Sequence, residues 1–127
     1  MATTKQLKQC PSSPNCVSSQ TDSGDHYVPP ISYNGPSKQA YETIVDILKS
    51  MKRTKIVEEE PDYIHAECKS RIFRFTDDIE FLFDKEKKVI DIRSASRMGY
   101  SDFGVNRKRV EKIKHKFINY KSVKGQS

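Results

Sequence analysis

The chain has no tryptophan and no long apolar run, and it is poor in cysteine and glycine. Its 127 residues include three Cys and five Gly, and hydrophobic residues make up 35% of it. No segment approaches the roughly 20 apolar residues of a membrane span, and no apolar core of an export signal begins the chain. The length and these absences predict one soluble domain, which we expect in the cytoplasm. A chain from which an export signal had been removed would show the same absences.

The small number of cysteines limits the chemistry. Three cysteines cannot all pair within one chain, which argues against a disulfide framework, while a reversible bond between Cys10 and Cys16 stays open. The spacing of the cysteines and His26 fits no standard zinc pattern, so no metal is expected. The chain also lacks a phosphate loop, a nucleophile elbow and a dinucleotide loop, so no cofactor is expected.

The net charge of +6 is distributed unevenly along the chain. Residues 97–127 hold nine Lys or Arg against two acids, a net of +7, whereas residues 1–96 have a net charge of −1. This basic region can attract nucleic acid, acidic lipid or an acidic protein, and a solvated helix face is the simpler interpretation. Nucleic acid is disfavoured because no aromatic residue interleaves with the basic ones and no binding signature is present.

Composition and apolar periodicity predict the organisation of the chain. Residues 1–10 are expected to be disordered, 11–120 to form one domain, and 121–127 to be a basic disordered tail. The domain begins with an extended N-terminal arm that reaches about Ile31. Ser37 can cap a helix that runs to about Met51 with a single apolar stripe, and a second helix runs from near Phe103 to about Tyr120.

Period-two alternation between the two helices predicts the strands. They cover residues 55–59, 63–68, 71–84 and 89–96, and their short connections imply antiparallel pairing. A sheet with one apolar face must cover that face, and two amphipathic helices can do so. We therefore predict an α+β fold, with an antiparallel sheet of three to four strands in meander order covered by the two helices.

Two aspartates in the longest strand are candidate catalytic residues. Asp77 has the parity of Phe75, Ile79 and Phe81, so its carboxylate points toward the core unless a bulge at residues 76–78 turns Asp78 inward instead. A buried carboxylate needs a cation or several donors. The structural interpretation is an ion pair with an arginine of the last strand, and the functional one is a carboxylate with a tuned pKa that serves as acid or base.

The last strand brings further polar groups to the same end of the sheet. Ser94 and Ser96 follow the inward-facing isoleucines, whereas Arg93 and Arg97 lie on the opposite face unless the strand twists or ends near Ala95. A turn at residues 98–100 leads from these four residues to the second helix, and Gly99 is free to adopt a positive φ there.

The start of the second helix offers donors for a ligand. Ser101 or Asp102 can cap the helix, and its first amides, with Arg97 and Arg107 nearby, form a plausible anion cradle. Asn106 begins the apolar stripe and must be hydrogen-bonded. It either pins the strand end to the helix or lines a polar pocket.

Three segments together resemble a known family. They are Pro-Asn-Cys-Val-Ser-Ser at residues 14–19, Phe-Thr-Asp-Asp-Ile-Glu-Phe at 75–81, and the stretch 92–109, which begins Ile-Arg-Ser-Ala-Ser-Arg. The chain is similar over about residues 11–120 to the family catalogued as domain of unknown function 1499. That family has no established activity, so the resemblance implies a domain and not a reaction. Its motif positions are Asp77, Asp78, Arg93, Ser94, Ser96, Arg97, Asp102, Asn106 and Arg109.

We expect a non-enzymatic domain that binds a small anionic ligand or an acidic partner protein at the junction formed by residues 93–109. The expected ligand-binding residues are Arg93, Ser94, Ser96, Arg97, Asp102, Asn106, Arg107 and Arg109. One alternative is an enzyme that uses Asp77 or Asp78 as general acid or base beside an anion site. The other is a structural ion-pair network, with the basic helix binding nucleic acid or an acidic partner.

Overall fold

The computed structural model of the chain describes residues 6–11, 15–22, 24–69, 75–97 and 103–120. Two helices and six strands lie within these residues, together with a short 3-10 turn at Gly24–His26. The elements are β1 (Cys16–Ser18), β2 (Ile31–Ser32), α1 (Ser37–Ser50), β3 (Thr54–Glu60), β4 (Tyr63–Lys69), β5 (Thr76–Asp84), β6 (Val89–Ser96) and α2 (Phe103–Ile118).

The six strands form one antiparallel sheet. Its order is β1-β6-β5-β4-β3, and β2 also pairs with β6. The strands β3 to β6 are neighbours in chain order, so the predicted α+β class and meander are confirmed. The predicted number of three to four strands is too low, because the arm pairs with β6 at two places while Val17 and Ile31 enter the core.

The core lies between one face of the sheet and the two helices. Side chains of β5 and β6 alternate between buried and half-buried along both strands, as a sheet with one covered face requires. The helix α1 contributes its apolar stripe through Ile44 and Leu48, and α2 contributes Val110 and Ile113. The apolar periodicity therefore predicted the buried face of each helix.

The start of α1 differs in detail from the expectation. Ser37 is the first helical residue and not the cap, which is Pro36 with φ −69° and ψ 142° and no side-chain hydrogen bond to the helix. The fixed φ of proline suits the entry into a helix, and its extended ψ directs the preceding chain away from the helix axis. The amides of Gln39 and Ala40 both donate to the carbonyl of Pro36.

The strand β3 ends the sheet order. Its register with β4 shifts between Ile56 and Glu58, so one residue is left out of the pairing and Val57 is exposed. The acidic run of residues 58–60 follows this bulge directly.

Several expectations concern residues outside the described ranges. They include the strand start at 71–74, the turn at 98–100, the cap by Ser101 or Asp102, and the tail at 121–127. In the described part of the N-terminus Leu7 is buried, and the disorder expected at both chain ends stays a prediction. None of the helices in the described ranges is long and apolar enough to cross a membrane.

Two isoleucines of α2 give a matched test of this packing. Ile113 is fully buried whereas Ile118 is 66% exposed. We expect Ile113→Ala to lower the free energy of unfolding by about 2–5 kcal/mol, because it leaves a cavity between α2 and the sheet. Ile118→Ala should change it by less than about 0.5 kcal/mol. Urea denaturation of the two variants measures the difference, and equal losses would contradict this placement of the helix.

Candidate functional site

The alternation of β5 and β6 divides the predicted site residues between the two faces of the sheet. Asp77 lies opposite Ser96 and faces the core, while Asp78 lies opposite Ala95 and faces away from it. The β5–β6 register runs without a shift, so the alternative of a bulge at residues 76–78 is excluded. Arg93 and Arg97 share the face of Asp78, as the parity of the last strand predicted.

A buried ion pair joins α2 to the inner face of the sheet. Arg109 Nη2 donates to Asp77 Oδ2 at 2.6 Å, and the two side chains are 16% and 5% exposed. The partner of Asp77 is thus an arginine of the helix, and the expectation of an arginine from the last strand is wrong. The reason is geometric: the arginines of β6 extend from the opposite face of the sheet, whereas Arg109 of α2 lies on the core side.

Asn106 connects the helix to β6 and to the arm. Its side chain is fully buried, accepts a hydrogen bond from Ser94 Oγ at 2.8 Å, and donates to the carbonyl of Asn15 at 3.2 Å. The amide of Asn15 in turn donates to the carbonyl of Ser96 at 2.8 Å. We call Asp77, Ser94, Ser96, Asn106 and Arg109 the inner cluster.

One oxygen of the inner cluster has no hydrogen-bond partner. Asp77 Oδ1 is buried and accepts no hydrogen bond, although its sister oxygen holds Arg109. Arg109 Nη1 makes two long contacts with neutral acceptors, Ser94 Oγ at 3.3 Å and Asn106 Oδ1 at 3.2 Å. Leaving a buried acceptor unsatisfied costs about 1–3 kcal/mol, and more for a charged group. Asp77 Oδ1 can therefore accept a hydrogen bond from one further donor, and Arg109 Nη1 can donate to a stronger acceptor than Ser94 or Asn106.

A free cysteine lies beside Asp77 in the sheet. Cys68 of β4 pairs in register with Asp77, and the hydroxyl of Thr54 contacts its sulfur at 3.6 Å. Burial raises the pKa of the Cys68 thiol. The raised pKa keeps the thiol protonated at neutral pH, so it is a poor nucleophile.

The other face of the sheet carries an ion-pair network centred on Arg97. Its guanidinium donates to both oxygens of Asp78, at 2.8 and 2.9 Å, and to Glu67 at 2.7 Å. His65 Nε2 lies 2.8 Å from Asp78 Oδ1. Partial burial raises the pKa of Asp78, but the hydrogen bonds from Arg97 and His65 outweigh burial, so the pKa lies below its ordinary value.

A second group on this face surrounds Glu80. Arg93 pairs with Glu80 at 3.4 Å, and the hydroxyl of Tyr63 donates to the other oxygen of the same carboxylate. Burial and the neighbouring Glu80 raise the pKa of Tyr63, which keeps the phenol protonated. Sequence reasoning missed the roles of Tyr63 and His65, because their alternation in β4 shows a shared face but not which carboxylates lie opposite.

Arg107 of α2 binds the N-terminal arm and belongs neither to the inner cluster nor to the network around Arg97. Its guanidinium donates to the backbone carbonyls of Asp25 and Tyr27, both at 2.7 Å, and so clamps the arm onto α2. Arg97 lies on the far face of the sheet, and Asp102 is outside the described residues. Arg97 and Arg107 are therefore engaged in different parts of the molecule, and the anion cradle that they were expected to form with the first amides of α2 stays a prediction.

A disulfide ties the start of the chain to the same sheet. Cys10 is bonded to Cys16, which lies opposite Ala95 on the face that carries Arg97. His26 Nδ1 is 2.9 Å from the carbonyl of Cys16. Disulfide bonds are typical of oxidising compartments, whereas the sequence led us to expect the cytoplasm. The location of the protein therefore stays an expectation.

An open groove lies at the opposite end of the strands. Its volume is about 350 Å³, and its walls come from the first turn of α1 and from the β3–β4 and β5–β6 turns. Tyr41, Glu60 and Lys85 are among the lining residues, whereas none of the predicted ligand-binding residues is. Within the described ranges, no group of three or more His, Cys, Asp or Glu is placed to hold a metal ion.

The chain matches a protein-family model over most of its length. The model of the family described as "Protein of unknown function (DUF1499)" matches residues 6–117, which include both faces of the site. The chain therefore belongs to this family. The search of curated proteins and the search of solved structures found no match.

The two aspartates allow a direct comparison of the two faces. We expect Asp77→Asn to lower the free energy of unfolding by about 3–5 kcal/mol, because it leaves the Arg109 guanidinium buried without a counter-charge. Asp78→Asn should cost about 1 kcal/mol or less, since its pair with Arg97 is partly exposed to solvent. Denaturation of both variants at neutral pH measures this difference, and a larger loss for Asp78→Asn would contradict the assignment of the buried pair.

The cysteines predict a definite pattern of thiol reactivity. We expect the folded, unreduced protein to give no rapid reaction with an aromatic disulfide reagent, because Cys68 is buried and the other two cysteines are bonded. Unfolding without a reductant should release one thiol per chain, and reduction should release two more. A rapid thiol in the folded protein would show either that the Cys10–Cys16 bond is open or that Cys68 is accessible.

Proposed function

We propose that the domain binds a small polar ligand at the inner cluster, without catalysis. One observation carries the proposal: Asp77 Oδ1 is a buried carboxylate oxygen without a donor, inside a cluster whose other polar groups are hydrogen-bonded. Native structures normally satisfy such atoms. A ligand that donates to this oxygen would complete the cluster, and the 16% exposure of Arg109 leaves an approach to it.

The charges of the cluster narrow the ligand class. Arg109 already has a counter-charge in Asp77, so a simple anion gains little there and is repelled by the free oxygen. A molecule that carries a carboxylate beside a protonated amine or a hydroxyl fits better. Its carboxylate can replace the long contacts of Arg109 Nη1, and its amine or hydroxyl can donate to Asp77 Oδ1. We therefore favour small α-amino or α-hydroxy acids.

Binding is favoured over acid–base catalysis for a physical reason. A general acid at neutral pH needs a carboxyl whose pKa is raised. The pKa of Asp78 is lowered by Arg97 and His65, and Asp77 is held by an arginine 2.6 Å away. Asp78 is therefore not arranged to deliver a proton, and the carboxylate of Asp77 is engaged in its ion pair with Arg109.

Titration of the protein with a panel of α-amino and α-hydroxy acids tests the proposal. The side-chain amide of Asn106 and the guanidinium of Arg109 should shift in NMR spectra on binding, whereas the guanidinium of Arg97 should not. Ser94→Ala should weaken binding severalfold while preserving the fold. Asp77→Asn, where it folds, should weaken it at least tenfold, since a hydrogen bond to a charged group contributes about 1.5–3 kcal/mol.

Arg97→Gln is the matched control, because it removes an arginine from the other face and should leave the affinity unchanged. The proposal fails if no member of the panel moves the Asn106 amide, in which case the cluster acts only as a structural lock. It also fails if Arg97→Gln and Ser94→Ala weaken binding equally, because the site would then not be the inner cluster.

A further inference from the structure

The outward surface of α2 carries a row of lysines that form no ion pair within the described part of the chain. Lys108 and Lys112 are exposed and Lys116 is half-buried, and the three follow one another at intervals of four residues. Such spacing places them on one ridge of the helix, about 6 Å apart along its axis. Among the described residues, no carboxylate forms an ion pair with any of these lysines. We call Lys108, Lys112 and Lys116 the lysine ridge.

The rest of the helix holds this ridge in a fixed direction. Asn106, Val110 and Ile113 on the opposite side are almost completely buried against the sheet. The helix therefore cannot rotate to bring the lysines to a carboxylate elsewhere in the chain. Exposed apolar side chains lie at both ends of the helix, with Val105 at 45% and Ile118 at 66% exposure.

The helix that carries this ridge is strongly basic. Residues 103–120 hold six Lys or Arg against Glu111, a net charge of +5, whereas residues 1–96 carry −1. Four carboxylates, those of Glu58, Glu67, Asp78 and Glu80, lie on the sheet face away from the helices. Such a distribution orients a protein so that its basic side approaches an anionic surface first.

We propose that the lysine ridge of α2 docks the domain onto an anionic lipid surface. An ammonium group is a point charge without directional geometry, and a convex ridge of such groups suits a diffuse layer of negative headgroups. An acidic peptide is better held by the fork of arginine. The arginines of α2 are already engaged, Arg107 by the arm and Arg109 by Asp77.

An exposed apolar side chain beside the ridge supports the same partner. Val105 is 45% exposed and lies within about 60° of each ridge lysine around the helix axis, so it can enter the boundary between headgroups and acyl chains while the lysines contact the headgroups. Each lysine near an anionic leaflet raises the membrane partition coefficient roughly fivefold. The ridge as a whole then contributes roughly a hundredfold.

Sedimentation of the full chain with lipid vesicles tests this proposal. Vesicles of phosphatidylcholine alone should not bind the protein, and an equal mixture with phosphatidylserine should bind it in a salt-sensitive manner. Replacing all three ridge lysines with glutamine should lower the partition coefficient by roughly a hundredfold. A matched control replaces Lys49, Lys52 and Lys87, which are also exposed, with glutamine and should change the partition coefficient little.

Circular dichroism and urea denaturation establish that both triple variants keep the fold. Equal loss of binding in the two variants would overturn the proposal, because net charge and not the ridge would then be responsible. Failure of the unaltered protein to bind phosphatidylserine vesicles would also overturn it. So would tighter binding to poly-glutamate than to these vesicles, which would make an acidic polypeptide the partner. The ridge shares no residue with the inner cluster, so this test is independent of the ligand titration.

Discussion

The position of α2 on the sheet depends on the ion pair between Asp77 and Arg109. Each of these charges is tolerated in the interior only because the other is there, and the loss of either leaves an uncompensated buried charge. A buried pair of this kind adds little net stability compared with apolar packing, but it permits far fewer arrangements of the two elements. The helix is held at the one place where position 109 meets β5, and Asn106 one turn earlier then meets Ser94.

The arm is fastened to this frame by three different kinds of bond. The side chain of Asn15 donates to Ser96 and its carbonyl accepts from Asn106. The disulfide between Cys10 and Cys16 anchors residues 6–11. Arg107 donates to the carbonyls of Asp25, within the 3-10 turn, and of Tyr27, which follows that turn. The bonds of Asn15 and Arg107 reach β6 or α2, whereas the disulfide joins two positions of the arm, of which Cys16 pairs with β6. The segment before α1 is thus an integral part of the domain, and it completes the sheet beside β6.

Parity predicted which face each strand residue occupies, because alternation is a local property of an extended chain. It placed Asp77 inward and Arg93 and Arg97 outward, and the apolar stripe of α2 gave the buried position of Asn106. The partners could not be predicted in this way. The pairing of Asp77 with Arg109 depends on how a helix lies across a sheet, and that of His65 with Asp78 on the register of β4 against β5. Strands as short as β1 and β2 show no periodicity at all.

The bulge in β3 has a consequence for the behaviour of the protein in concentrated solution. This strand is the last in the sheet order, and such a strand can serve as a template on which further chains add and grow into fibrils. Here an incoming chain would meet an interrupted ladder between Ile56 and Glu58 and then the three glutamates of residues 58–60. Adding a chain at this edge would crowd like charges where continuous hydrogen bonding is already broken, which protects the folded protein from self-templated aggregation.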